Sequence, residues 1–145
     1  MLRDLWKSPP NIKAGTATAK AVLFVRQHKV LLLQKASGQW DLPGGKLETG
    51  EGWIEGLARE VYEESGFKID DDDWIEGRIN TRKGEKQNLR GVFFCRLDCK
   101  PKKSLIAISN EHVKGDFFSL KEIDNLSLPE EYTLAIGWAA QKIGV

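Results

Sequence analysis

The sequence predicts an α/β domain, a mixed β-sheet with helices packed on it. Three observations carry that prediction. Residues 16–25 and 30–35 are two runs rich in β-branched and apolar side chains, separated by a short polar turn. Residues 52–65 carry a helical repeat in which Ile54, Leu57, Ala58, Val61 and Ser65 share one face, and Gly66 stands where a C-terminal cap glycine would. Further strand-like runs and a terminal helical segment follow, giving the order strands, helix, strands, helix.

Each element has its own signal. Residues 1–15 read as a polar arm, because Pro9-Pro10 blocks regular structure. The first strand and its return are divided by Gln27-His28-Lys29, which leaves His28 solvated. A short extended piece, 40–42, is stopped by Pro43-Gly44-Gly45. After the 52–65 helix, 67–69 reads as a strand start and the aspartates 70–73 as a solvated turn without calcium-loop spacing. Residues 74–80 and 89–97 read as strands joined by a basic stretch. Residues 105–108 and 116–120 read as short strands, and 120–126 as a helical turn. Pro129 opens a terminal helix through Leu134, Ile136, Trp138, Ala139 and Ile143. Residues 16–145 therefore read as a single domain.

Composition narrows the class. A chain of 145 residues, 41% hydrophobic and 30% charged, fits one soluble domain and not a disordered, collagenous or coiled-coil chain. Twenty-two basic against 21 acidic residues leave a formal charge of +1, no footprint for broad nucleic-acid or anionic-membrane binding. Cys95 and Cys99 make no disulfide framework, and without a CxxC pair they make no zinc site; they read as reduced thiols in or beside an apolar run. No apolar run approaches the length of a membrane span, and the start lacks the apolar core of a signal peptide. The expectation is a cytoplasmic protein.

The 52–65 helix and its lead-in carry an excess of carboxylates: Glu48, Glu51, Glu55, Glu60, Glu63 and Glu64. At about 100° per residue from Ile54, the apolar stripe centres near 350°, with Glu60, Glu63 and Glu64 near about 240°, 180° and 280°. Glu60 and Glu64 thus flank the buried stripe, and Glu63 lies further round. Glu60 and Glu64 are a like-charge i,i+4 pair at the helix end where the macrodipole disfavours negative charge. A divalent cation reverses both penalties, and hard oxygen ligands suit Mg²⁺ or Mn²⁺. The plainer alternative is a solvated acidic face with Arg59 as counter-ion.

The flanks decide between them. Gly45 is followed by five residues and Glu51, then by seven and Arg59-Glu60-Val61-Tyr62-Glu63-Glu64-Ser65-Gly66-Phe67. This resembles the Nudix box, G-x5-E-x7-R-E-U-x-E-E-x-G-U with U a bulky apolar residue, at every position. The preceding Trp40-Asp41-Leu42-Pro43-Gly44-Gly45 is similar to the family's lead-in. A phosphate-binding P-loop is excluded, since it needs glycine where Trp40 stands and Ser or Thr where Leu47 stands.

The resemblance implies an α/β/α sandwich with a mixed sheet between helices, and Mg²⁺-dependent (or Mn²⁺-dependent) hydrolysis of a pyrophosphate bond in a nucleoside diphosphate linked to another group. Glu60 and Glu64 would be the principal metal ligands, Glu63 a supporting one, and Gly44 the source of a backbone carbonyl. Arg59 and Glu51 would pair and orient the loop. Glu111, in Ser109-Asn110-Glu111-His112, is the first candidate for the general base and a possible further ligand, with His112 a surface residue. A nucleoside triphosphate is the leading substrate; ADP-ribose, a dinucleoside polyphosphate or an RNA 5′ end is the alternative, and a non-catalytic nucleotide sensor the reading of another class. Arg82, Lys83 and Arg90 would meet distal phosphates or remain solvated, and Trp40 or Phe93 would stack on a base or fill the core. The partner implied is a small nucleotide, with the chain a monomer or homodimer.

Overall fold

The computed structural model describes residues 6–10, 16–81 and 89–145. Strands β1 (Ala17–Val25) and β2 (Lys29–Gln34) form an antiparallel hairpin with Phe24 opposite Val30. Gln27 and His28 in its turn both have positive φ, 66° and 56°, the hand that closes tight hairpins. Then come β3 (Trp40–Asp41), β4 (Gly44–Lys46), α1 (Trp53–Ser65), β5 (Trp74–Thr81), β6 (Leu89–Arg96), β7 (Lys114–Phe118), α2 (Leu120–Ile123) and α3 (Glu130–Ile143).

The described strands form one sheet in the order β3-β2-β1-β6-β5, with β4 on β1 and β7 on β2. β1 runs parallel to β6, from Ala17 opposite Leu89 to Phe24 opposite Arg96, and the other pairs are antiparallel. The sheet is therefore mixed, as expected. One edge of β1 is shared: its first half pairs with β4 and its last residues with β2. That fork lays the Pro43–Gly45 segment along β1, where Ala21 N–H donates to the Pro43 carbonyl at 2.9 Å.

Alternation along β1 builds two cores. Ala17, Ala19, Ala21, Leu23 and Val25 face α1, packing with Trp53, Ile54, Leu57 and Val61. Val22 and Phe24 face the other way, against Tyr132, Ala135, Ile136 and Ala139 of α3. The sheet lies between the two helices, an α/β/α sandwich. Burying a side chain such as Leu57 or Ile136 contributes about 1.5–3 kcal/mol, and that is what fixes each helix on its face. Trp40 and Phe93 are both core residues: Trp40 stands edge-on to Phe118 at 4.8 Å, and Phe93 is fully buried.

Several local expectations are corrected. Residues 105–108 are not a strand: Leu105 closes a short turn (Lys103–Leu105), and Ala107 N–H donates to the Ser65 carbonyl at the end of α1. Residues 67–69 are irregular, although Phe67 and Ile69 still pack on the α1-side core. β7 begins and ends earlier than 116–120, because Ser119 starts α2. Its Oγ accepts the Glu122 N–H at 3.2 Å while the Glu122 carboxylate accepts the Ser119 N–H at 2.9 Å, a reciprocal cap. Gly44 and Gly45, expected to stop an extended piece, belong to a strand of their own, β4. Trp6, from the segment expected as a polar arm, is buried and stands edge-on to Phe93 at 5.2 Å. No helix among the described residues is long and apolar enough to cross a membrane.

Candidate functional site

Helix α1 sets out its three late glutamates by depth, as the helical wheel dictates. Glu64 is buried, Glu60 is half-buried and Glu63 is exposed. The helix ends because Gly66 adopts φ 81° and donates to the Tyr62 carbonyl. Its last turns face the forked edge of β1.

Two glycines permit that approach. Gly44, at φ 139°, lies so close to β1 that a Cβ would meet the Ala19 carbonyl oxygen at 2.1 Å. Its N–H donates to Glu64 Oε1 at 2.7 Å. A Cβ on Gly45 would stand 2.6 Å from the Glu60 carboxyl carbon, so the Glu60 side chain fills the space that glycine leaves. The Gly44 carbonyl, expected to face a metal, meets the Lys20 ammonium at 3.4 Å.

Arg59 organises the opposite rim. Its Nε and Nη2 donate to the two Glu51 carboxylate oxygens at 2.7 and 2.9 Å, a bidentate pair. Nη1 reaches Glu60 at 3.1 Å and Glu63 at 3.2 Å, and Nη2 reaches the Lys46 carbonyl at 3.3 Å. Glu51 Oε1 also accepts the Glu48 N–H at 2.6 Å. One guanidinium thus ties the lead-in loop to the helix. The Arg59 hydrogen bond holds the Glu51 carboxyl below its ordinary value, and Glu51 raises the guanidinium in turn.

The loop before β7 supplies the remaining groups. Glu64, Glu111 and His112 each place one ligating atom within 4.8 Å of the others. Glu111 is exposed and close enough to Glu60 to raise its carboxyl. His112, expected at the surface, is 8% exposed: its Nδ1 lies 3.9 Å from Glu64 Oε2 because the loop turns inward, with His112 N–H bonded to the Ser109 carbonyl at 3.3 Å.

The electrostatics are those of carboxyl groups drawn out of water. Burial pushes the Glu64 carboxyl up to about 7, opposed by the Gly44 N–H and Lys20 and assisted by Glu60 and Asp41. Burial also pushes Glu60 up, opposed by Arg59. Burial holds the His112 imidazole below its ordinary value, favouring its neutral form.

Lys20 escaped the sequence reasoning. It is buried in β1 and donates to Asp41 Oδ2 and the Leu42 carbonyl at 3.2 Å each, anchoring the chain just before the glycine bend. Its signal was a charged residue inside an otherwise apolar strand. Arg90 is engaged by α3, bonding Glu131 at 2.8 Å and the Tyr132 hydroxyl. Arg82 and Lys83 lie outside the described residues.

Comparison with known proteins agrees with this arrangement. The NUDIX domain model matches residues 15–135. A MutT-like protein from Streptomyces ambofaciens is 28% identical over 130 residues, covering 89% of this chain and 77% of that protein. The 8-oxo-dGDP phosphatase NUDT18 of Homo sapiens is 47% identical over 51 residues, 32% of this chain and only 16% of its own length. Among solved structures, the MutT protein from Methanosarcina mazei Go1 superimposes with a TM-score of 0.70 at 25% identity, covering 89% of this chain and 95% of that one. With its family model matched over most of its length and the box glutamates gathered at one glycine bend, the chain belongs to the NUDIX domain family of hydrolases.

Proposed function

We propose that the chain hydrolyses a pyrophosphate bond in a nucleoside diphosphate linked to another group, with a nucleoside triphosphate or related nucleotide as substrate and Mg²⁺ or Mn²⁺ as cofactor. The observation that carries this reading is the gathering of Glu64, Glu111 and His112 within 4.8 Å of one another, with Glu64 on the Gly44 N–H and Glu60 against Gly45. The phosphorylated nucleotide named for the NUDT18 relative supports the substrate class.

The residues present fit a divalent cation. Carboxylate oxygens are the donors that Mg²⁺ and Mn²⁺ prefer. Burial raises the Glu60 and Glu64 carboxyls, and a bound cation would favour their charged forms. Glu60 and Glu64 hold the ion, and Glu63 supports them from the exposed side. The chemistry such an ion supplies is neutralisation of the phosphates and a lowered pKa for water. Glu111, exposed at the mouth, accepts the proton of the attacking water. Arg59 and Glu51 hold the loop against the helix, and the Gly44 N–H orients Glu64.

The test is release of phosphate or pyrophosphate from a panel of nucleotides with Mg²⁺. The wild-type chain is expected to turn over at least one nucleotide, and Glu64→Gln to lose most of that rate. Equal turnover by the two proteins overturns the reading. Tight binding with no product on prolonged incubation would make the chain a sensor instead.

A further inference from the structure

Among the described residues outside the box helix, one buried polar atom at the site has no hydrogen-bond partner. His112 Nδ1 is buried without a hydrogen-bond partner, in a side chain only 4% exposed. Buried imidazole nitrogens are ordinarily satisfied, so an orphan needs a reason. Glu64 Oε2 does not provide it, since 3.9 Å is too long for a hydrogen bond.

The separation has another meaning. Two donors that share one ion at about 2.1–2.2 Å each stand between about 3 Å and about 4.4 Å apart, depending on the angle at the ion. The 3.9 Å between His112 Nδ1 and Glu64 Oε2 falls in that interval, and Glu111 lies in the same cluster. Resting on the metal-dependent reading above, we propose that His112 Nδ1 is a nitrogen ligand to the cation held by Glu60 and Glu64, beside Glu111. The site then has a mixed nitrogen and oxygen donor set. Mg²⁺ prefers oxygen alone, whereas an imidazole suits later divalent metals and Mn²⁺ accepts both donor types. The chain therefore discriminates in favour of Mn²⁺ over Mg²⁺, and the discrimination resides in His112.

The imidazole must present a lone pair at Nδ1, so its proton belongs on Nε2. The groups whose charges act on this ring are Asp41, Lys20, Glu111 and Lys35. Asp41 is itself paired with Lys20 at 3.2 Å and with Lys35 at 3.7 Å, and the carboxyl groups that share the cluster with the ring are Glu64 and Glu111.

The experiment is pulsed electron paramagnetic resonance on Mn²⁺ bound to the full chain, with natural-abundance and ¹⁵N-labelled histidine. The chain has two histidines, so His28→Gln serves as the control. The expected result is a nitrogen coupling of a directly bound imidazole that changes isotope with the label, persists in His28→Gln and disappears in His112→Gln. The ratio of Mn²⁺ to Mg²⁺ affinity is expected to fall about tenfold in His112→Gln. Mn²⁺ bound to wild type without histidine coupling overturns this inference and leaves the carboxylate site standing, provided Glu64→Gln abolishes that binding. Absence of Mn²⁺ binding to wild type overturns both. The wild-type spectrum decides even where His112→Gln fails to fold.

Discussion

Glu64 Oε1 accepts the Gly44 backbone N–H at 2.7 Å, joining the last turn of α1 to the glycine bend. That bond asks only for an oxygen acceptor, whereas holding a cation asks for charge. Glu64→Gln keeps the first and removes the second. Its melting temperature is expected to match or exceed that of wild type near pH 7.5, because a buried carboxylate is gone. Its kcat is expected to fall by more than about 100-fold, the upper end of what loss of a supporting group costs a metal site. Thermal unfolding and steady-state kinetics on the same preparation check both halves.

The adjacent glycines are expected to fail differently when given a methyl group. At Gly44 the backbone has φ 139° and the new Cβ would strike backbone, the Ala19 carbonyl oxygen at 2.1 Å. Gly44→Ala is therefore a folding mutation, costing upwards of about 3 kcal/mol by denaturant unfolding. At Gly45 the clash is with the Glu60 carboxylate, the movable end of a side chain. Gly45→Ala is expected to keep most of the stability while displacing Glu60, so metal affinity and kcat fall more than the melting temperature. The same loss of stability in both variants would contradict this division.

Arg59 and Glu51 form a bidentate pair whose partners are both largely shielded, and Glu51 also receives the Glu48 N–H. A double-mutant cycle with Arg59→Met and Glu51→Gln is expected to give a coupling energy of about 1–3 kcal/mol. Arg59→Lys recovers only part of it, since an ammonium cannot reproduce the two parallel bonds. A coupling near zero would contradict a role for the pair in holding the loop against the helix.

What the sequence made legible follows from where each signal is local. The amphipathic stripe of α1 and the depth order of Glu60, Glu63 and Glu64 are properties of helical periodicity, readable from spacing alone. The central strands were legible as near-continuous apolar, β-branched runs, because a sheet covered by helices on both faces buries both sides of its strands. The sheet's fork was not, since pairing of Gly44–Lys46 with β1 rests on contacts about 25 residues apart in sequence. His112 looked like a surface residue because a loop histidine has no periodic environment to betray its burial. Residues 105–108 had the composition of a strand, but the N–H groups of Leu105 and Ile106 close a local turn and that of Ala107 goes to the Ser65 carbonyl, partners that composition does not show.

The strongest physical lever on the site is pH. Burial raises the Glu64 carboxyl to about 7 from an ordinary 4.5. A carboxyl raised by folding holds its proton more tightly in the folded chain. Its contribution to stability is complete below pH 4.5 and is lost as pH rises through 7. The metal-free protein is therefore expected to lose on the order of 2–3 kcal/mol from this group between those limits, and Glu60, raised by burial as well, acts in the same sense. Glu51 acts oppositely, because its lowered carboxyl contributes above 4.5 and ceases to contribute as pH falls through its folded value. With chelator present, the melting temperature is thus highest in mild acid and declines toward pH 8. Mn²⁺ binds the ionised carboxylates, so the stabilisation it adds grows over the same interval. Melting curves at pH 5, 6, 7 and 8, with chelator and with Mn²⁺, check both slopes. Glu64→Gln should flatten the chelator series, because an amide has no proton to lose. A wild-type chelator series that is already flat would mean that Glu64 is solvated and carries its charge freely.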